Sequence, residues 1–539
     1  MNFFMNSSFN AKNSGIEHAQ LKRAFLFRKN KEAYKLVFRE WNPLLHFHLN
    51  NVGIHDDEIL NMFDFFQEAE DVKEKIVKPE DIDFGVSDLT YQRDEEHNRV
   101  IVFKDKLIIA RVNCFGKDIS DDMRVQSVEL FDGFANLYRV DFYDSRGFKS
   151  MVQWYTPDNK IATETWYTPS GRPVVEDYYR PNAQGKMDKS GWKTVDAKGT
   201  VRQYDTIDGV LLEFLNAANH KYLRKTKPNI FIMDRSDLYE ELLPELREPA
   251  YTVLHLHNSH AGDAQKPHTS IMNNNYEYSL TDANRYDAII SATHKQTEDV
   301  KHRFDPKAAM FTIPVGVIPD KHFDEPRVPM KDRKFGSVIA TARIAPEKQL
   351  DKVIRAAGIA RKTVPEVTVD LYGYVDHSND DIAMKRINEA IKDYHMEDAV
   401  HIHSYVNNVS IVQKNAQIYG LASVMEGFNL AMMEAQSEGD VGITYDVNYG
   451  PNELVVNNEN GYIVDYGDYK KMGQYMTDLF TNPDQLQKMS DKAYELSERY
   501  SETNVWKDWK ALLDDANKTW KHKMAVWNPD IEKGLEKLD

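Results

Sequence analysis

The sequence predicts an α/β chain with two doubly wound, Rossmann-like domains facing a cleft, the first interrupted by an antiparallel β-meander. Three observations predict it. Short apolar runs alternate with amphipathic helical stretches at both ends of the chain, the pattern of parallel sheets with crossover helices. Between about 85 and 205 that alternation stops, and an aromatic pair recurs every 12 residues instead. A linker rich in proline and charge, 318–334 with Pro319, Pro326 and Pro329, separates the two alternating halves.

The elements follow in order. In 1–84, the first part of the N-terminal domain, the run Phe3, Phe4, Met5 reads as a strand and the stretch after Gly15 as a helix. A second strand starts at Tyr34, and Ile59, Met62, Phe63 and Phe66 follow at helical spacing. The insertion 85–205 carries Phe142 and Tyr143, Trp154 and Tyr155, Trp166 and Tyr167, Tyr178 and Tyr179, with Gly- or Pro-containing turns after three of the pairs. That ladder is either cross-strand packing or a ligand platform. Segment 206–317 resumes the alternation with strands at 229–233, 251–256, 288–291 and 310–313, and the linker 318–334 follows. The C-terminal domain, 335–500, repeats it with strands at 337–340, 367–372, 400–403, 418–422, 441–444 and 461–464. Residues 501–539 read as a C-terminal helix and a tail, loosely ordered beyond Met524. Such a pair of domains places a ligand cleft at the carboxyl ends of the strands.

Composition narrows the function classes. The 539 residues, 41% hydrophobic and 28% charged, suit a large globular chain. No run approaches the roughly 18 apolar residues of a membrane span. The first residues have no basic and apolar signal, and the single cysteine, Cys114, excludes an internal disulfide, so a cytoplasmic setting is expected. A net charge of −17 speaks against nucleic acid. The stretch from Lys22 to Arg39 is nevertheless basic (Lys22, Arg23, Arg28, Lys29, Lys31, Lys35 and Arg39 against Glu32). It reads either as a solvated helix face followed by a strand or as a docking patch for an anionic membrane surface or polymer.

Two spacings in the second half carry chemistry. Arg343 and Lys348, separated by four residues, follow a strand and open a helix, where both can face a diphosphate and neutralise a leaving group. Glu426 and Glu434, separated by seven, bracket Gly427 and a helix start near Asn429. The glycine admits close approach of a ligand, and free N–H groups at the helix start suit phosphate. Glu434 can accept hydrogen bonds from ribose hydroxyls, and Glu426 sits where a donor sugar would lie. His255, His257 and His260 stand at a strand end and read as satisfied histidines, a sugar contact or a metal group, in that order. Asp81 and Asp83 form a D-x-D in a polar loop, for which no metal role is expected.

With both spacings in one alternating domain, the chain resembles a GT-B glycosyltransferase of family 4. It resembles in particular the bacterial group with a β-meander in the N-terminal domain. Within it, 13–20 (NSGIEHAQ), 275–283 (NYEYSLTDA) and 312–316 (TIPVG) resemble the branch that starts O-glycosylation of serine-rich repeat adhesins for accessory secretion. The related branch glycosylates wall teichoic acid.

The resemblance implies a retaining, UDP-sugar-dependent hexosyltransferase with UDP-GlcNAc or UDP-glucose as donor and no metal or other cofactor. It assigns Arg343 and Lys348 to the diphosphate, Glu434 to the ribose and Glu426 to the transferred sugar. Backbone amides of Gly427, Phe428, Asn429 and Leu430 fall on phosphate, and Gly15 lies in the N-terminal loop of the cleft. His255 falls near the donor sugar, with Tyr405 and His403 near the uracil. One departure is that Tyr374 to Ser378 replaces the usual glycine-rich continuation after Gly373. Implied partners are a Ser/Thr-rich acceptor protein and a GT-B-like co-chaperone subunit or a second copy of the chain, with peripheral contact at the inner membrane face and no nucleic acid. Alternatives are a teichoic acid α-glycosyltransferase and a non-catalytic GT-B co-chaperone.

Overall fold

In a computed structural model, the structure describes residues 1–119, 122–406 and 408–527. The chain forms two compact units. One holds Met1–Asn13, Ala33–Ala250 and the described residues from His522; the other holds Ser14–Glu32 and Tyr251–Lys521.

In the first unit, four parallel strands lie in the order Ile230–Met233, Asn2–Asn6, Tyr34–Phe38, Ile59–Asn61. Both faces of this sheet are covered, so its strands are apolar without alternation: Phe3, Phe4, Leu36, Phe38, Phe231 and Ile232 are fully buried. Ile59, expected in a helix, belongs to the last strand instead. Asn61 ends that strand, and its side chain accepts from the amides of Phe63 and Asp64 to start the helix Met62–Gln67.

The insertion is a ten-stranded antiparallel meander from Leu89–Asp94 to Val201–Tyr204, each strand pairing with the next. The aromatic ladder divides between its faces. Phe142, Met151 and Trp166 stand in register on the face that packs on Phe63, with Trp166 and Trp192 stacked at 5.7 Å. Trp154 and Tyr178 stand in register through Thr163 on the opposite face. Register shifts at Tyr143, Thr163, Tyr167 and Tyr179 are what break a single continuous ladder.

In the second unit, Tyr251–His255, Ala288–Ser291 and Ala309–Thr312 pair in parallel. A separate parallel sheet has the order Val400–His403, Thr368–Tyr372, Ser337–Thr341, Ile418–Leu421, Val441–Tyr445, Gly461–Val464. In chain order this is 3-2-1-4-5-6, the dinucleotide-binding arrangement, and it reverses between Ser337–Thr341 and Ile418–Leu421. The helices Leu350–Arg361 and Tyr469–Thr481 cover one face through Val353, Ile354, Met472 and Met476. The helix Gly15–Lys29 starts at a capping box between Ser14 and Glu17, and its Phe27 meets Trp506 and Trp509 edge-on. The C-terminal helix Glu502–Trp527 runs past Met524, where a loose tail was expected; 528–539 lie outside the described residues.

Candidate active site

The point at which the strand order reverses leaves a crevice at the carboxyl ends of two strands, and both predicted motifs follow those strands. After Ser337–Thr341 the chain passes Arg343 and makes the short turn Pro346–Lys348. It then enters the helix Leu350–Arg361 through Gln349, whose φ of 45° is left-handed. Lys348 donates to Glu426 at 2.7 Å. Glu426 is buried at 8% exposure, so this pair sits where solvent screens it weakly. Arg343 stays half-exposed and binds Asp376 at 2.7 Å and Glu347. Asp376 lies in the segment that departs from the glycine-rich pattern, so the departure supplies Arg343 with a carboxylate.

After Ile418–Leu421 come Glu426 to Leu430. Gly427 does admit a close approach, but of the chain's own backbone: a Cβ there would stand 2.1 Å from the His257 carbonyl oxygen. Phe428 is buried and meets Tyr500 edge-on at 5.4 Å, so only its backbone can meet a ligand. Asn429, left-handed at φ 80°, caps the helix Leu430–Ser437 by accepting from the Met432 amide at 2.8 Å. The amides of Leu430 and Ala431 lie ahead of any intrahelical acceptor, and with the positive end of the helix dipole they form an anion-binding terminus. One turn further on, Glu434 pairs with Lys22 at 2.9 Å.

Residues from the start of the chain complete this cluster. His18 shares a hydrogen bond with Tyr405 at 3.0 Å. Burial lowers the His18 imidazole against the opposing pull of Glu434, and burial raises the Tyr405 phenol, so both are neutral near pH 7. Gly15 is the first residue of the helix, and a Cβ there would touch nothing. His255 is buried at its strand end, accepts from Arg23 at 3.1 Å and stacks on His257 at 4.1 Å. Arg23 in turn lies over Trp509.

His260 lies away from this group. It donates to the Pro267 carbonyl and stacks on Tyr449, and burial takes its imidazole down to about 4. His403 stacks on Tyr372 at 4.2 Å and donates to Asp370. Asp81 and Asp83 accept from the backbone amides of Lys78 and Gly85. Sequence reasoning missed His18, Lys22 and Arg23 as site residues. The signal was there in the basic stretch, but three of its cations, Lys22, Arg23 and Lys29, are paired within the chain, Lys29 at the surface with Asp320 and Glu502.

This geometry defines a class. Residues 321–496 match the family Glycosyl transferases group 1, and the fold is of the GT-B class. It is 26% identical over 523 residues to the UDP-N-acetylglucosamine--peptide N-acetylglucosaminyltransferase GtfA subunit of Streptococcus agalactiae, covering 93% of this chain and 96% of that protein. It is 25% identical over 355 residues to the poly(glycerol-phosphate) alpha-glucosyltransferase of Bacillus subtilis, covering 65% and 50%. The pneumococcal O-GlcNAc transferase GtfA, solved in complex with UDP and GlcNAc, shares the fold with a TM-score of 0.79 at 22% identity, over 96% of this chain and 98% of that one.

Proposed function

We propose that this chain moves N-acetylglucosamine from UDP-N-acetylglucosamine to serine or threonine hydroxyls of a Ser/Thr-rich surface protein, with retention at the anomeric carbon. The observation that carries the reading is the Lys348–Glu426 pair set beside the open amides of the helix Leu430–Ser437. It joins a cation, a carboxylate and an anion-binding terminus at the reversal of the strand order. The nearly full-length likeness to the streptococcal peptide N-acetylglucosaminyltransferase supports the acceptor class.

In this reading the amides of Leu430 and Ala431 hold the diphosphate, and Lys348, with Arg343, stabilises the charge that grows on it. Glu434 accepts from the ribose hydroxyls, while Glu426 orients the sugar. The bond from the anomeric carbon to the phosphate oxygen breaks as a hydroxyl oxygen of the acceptor bonds the same face. The hydroxyl proton passes to the departing diphosphate, so charge and atoms balance. That the S. agalactiae relative is the GtfA subunit of its transferase supports a further proposal, that this chain works with a second subunit. No helix among the described residues is long and apolar enough to cross a membrane, so any contact with a membrane face would be peripheral.

Transfer is measured by mass spectrometry of a Ser/Thr-rich peptide incubated with UDP-GlcNAc or UDP-glucose. Lys348→Ala is expected to cost on the order of 10²–10³ in turnover, the usual consequence of losing a charge-stabilising donor. Circular dichroism should stay unchanged, and wild-type rates in this variant would overturn the assignment. A second reading, glycosylation of a polyol-phosphate polymer, is favoured by the likeness to the Bacillus enzyme over 65% of the chain. A non-catalytic role would leave Arg343, Lys348, Glu426 and Glu434 without a reason to stand at one crevice, and slow release of UDP from the donor alone would exclude it.

A further inference from the structure

The cations Lys348, Lys22 and Arg343 of the proposed donor crevice are all paired: Lys348 with Glu426, Lys22 with Glu434, and Arg343 with two carboxylates at once. One Nη of Arg343 donates to Asp376 at 2.7 Å and the other to Glu347. The first two pairs balance, one charge against one. The group around Arg343 does not, because a single guanidinium faces two carboxylates and one negative charge is left over.

Both carboxylates stand on fixed backbone. The pairing of the strands Ser337–Thr341 and Thr368–Tyr372 continues past their ends. The amide of Ala342 donates to the Tyr372 carbonyl and that of Ile344 to the Tyr374 carbonyl, both at 3.0 Å, and the Asp376 amide donates to the Ile344 carbonyl at 3.0 Å. Gly373 lets the two segments come this close, since a Cβ there would stand 2.0 Å from the Ala342 carbonyl oxygen. Glu347 is anchored through its own carbonyl, which accepts from the Val424 amide at 2.8 Å. The Arg343 side chain is 42% exposed and that of Asp376 20%, so water screens this pair in part and its effect is a matter of a few-fold.

A surplus negative charge beside a diphosphate opposes any anion, and opposes it more the greater the charge of that anion. A nucleoside diphosphate sugar has no terminal phosphate. Once the sugar has left, the terminal phosphate of the product gains a further ionisation, with a pKa of about 6 for a phosphate monoester. The product is then more negative at neutral pH than the donor was. One fixed carboxylate therefore works against the product more than against the substrate, and loss of product limits turnover in many enzymes.

We propose that Asp376 is a positioning residue which, acting through Arg343 and with Glu347 beside it, favours the release of UDP over the release of the UDP-sugar. It fixes the guanidinium, and its charge offsets part of the attraction that Arg343 exerts on phosphate. Asp376 needs no contact of its own with sugar or acceptor for this. The proposal rests on the donor reading above, which places the diphosphate beside Arg343.

The test is calorimetric titration of the full chain with UDP and with UDP-GlcNAc, each at low and at high sodium chloride and without acceptor. Asp376→Asn keeps an oxygen for the guanidinium and removes the charge. At low salt it is expected to bind UDP about fivefold more tightly than wild type, and UDP-GlcNAc about twofold. Both gains should shrink at high salt, as screening sets in. Asp376→Glu restores the charge and should return both affinities to wild type. Unchanged or weaker UDP binding by Asp376→Asn overturns the proposal. So does a gain as large for UDP-GlcNAc as for UDP, a gain that salt leaves intact, or one that Asp376→Glu shares. Should Asp376→Asn fail to fold, Glu347→Gln decides by the same affinities and salt response. Transfer to the peptide alongside any of those failures would leave the transfer reading standing. The expected shifts in a chain that transfers nothing would uphold the role of Asp376 and defeat that reading, and a wild type that binds no UDP would defeat both.

Discussion

At the scale of single residues, two glycines of the proposed site separate what the fold needs from what the chemistry would need. Gly427 has no room for a side chain, because a Cβ would meet the backbone carbonyl of His257 at 2.1 Å and backbone yields little. Gly427→Ala is expected to lower the melting temperature by several degrees and to take transfer with it, since displacing 427 moves the Glu426 and Leu430 backbone on either side. Gly15 is the opposite case: its Cβ would touch nothing, and alanine suits a helix better than glycine. Gly15→Ala should therefore melt at or slightly above the wild-type temperature and still lose transfer. Thermal melts paired with a transfer assay check both, and a fully active Gly15→Ala would remove that residue from the site. Lys22 makes the same separation through its partner. Lys22→Met frees Glu434 from its ion pair, so the effect belongs in KM for the donor more than in turnover, if Glu434 holds the ribose.

Among elements, a buried charge network ties the helices Leu45–Asn51 and Met62–Gln67 to the meander. His46, on the helix Leu45–Asn51, is flanked by Asp56 at 2.7 Å and Asp64 at 2.8 Å. Arg146, in the hairpin turn after Leu137–Tyr143, binds both Asp64 and Asp144 at 2.8 Å. Burial alone would depress the His46 imidazole, but its hydrogen bonds to Asp56 and Asp64 outweigh burial and raise it to about 9. A folded-state value above the unfolded 6.5 means stabilisation present in full below pH 6.5 and lost as pH rises through about 9. The gap corresponds to about 3 kcal/mol, counted once because the lowered carboxylates of Asp56 and Asp64 report the same contacts. Urea midpoints are expected to fall between pH 6.5 and 9.5, and His46→Gln should start lower and flatten that slope. An unchanged slope in the variant would place the pH dependence elsewhere. None of this network was legible in the sequence, because its partners come from separate elements and no spacing links them. The strands and the two charged motifs were legible, since apolar runs between turn residues and short intervals are local properties. Ile59 was misread because three residues at helical spacing look alike whether a strand or a helix begins the run. The faces of the aromatic ladder were hidden for a related reason: single-residue register shifts decide them, and those depend on pairing.

For the whole molecule, carboxylates outnumber lysine and arginine 85 to 68, a net charge of −17. A polyanionic acceptor must then find local positive surface, and the basic stretch near the start of the chain was the candidate. In the structure Lys22, Arg23 and Lys29 are committed to Glu434, His255, Asp320 and Glu502, so seating a polyphosphate there would mean breaking pairs that the fold already uses. An uncharged Ser/Thr peptide makes no such demand. Screening distinguishes the two acceptors, because the Debye length shrinks from about 10 Å at 0.1 M salt to about 3 Å at 1 M. With a Ser/Thr-rich peptide, initial rates are expected to change by less than about twofold between 50 and 300 mM sodium chloride, the weak response of a contact without net charge. In the same mixture poly(glycerol phosphate) should remain unlabelled, and reversing two other cations of the stretch with Arg28→Glu and Lys31→Glu should leave the peptide rate where it was. Polymer labelling that falls steeply with salt and disappears in the reversed variant would move the acceptor from protein to polyol phosphate. The proposed donor site would be unaffected by that outcome, because in the reading above Lys348 and the helix Leu430–Ser437 act on the diphosphate, and Glu426 on the sugar, whichever hydroxyl attacks.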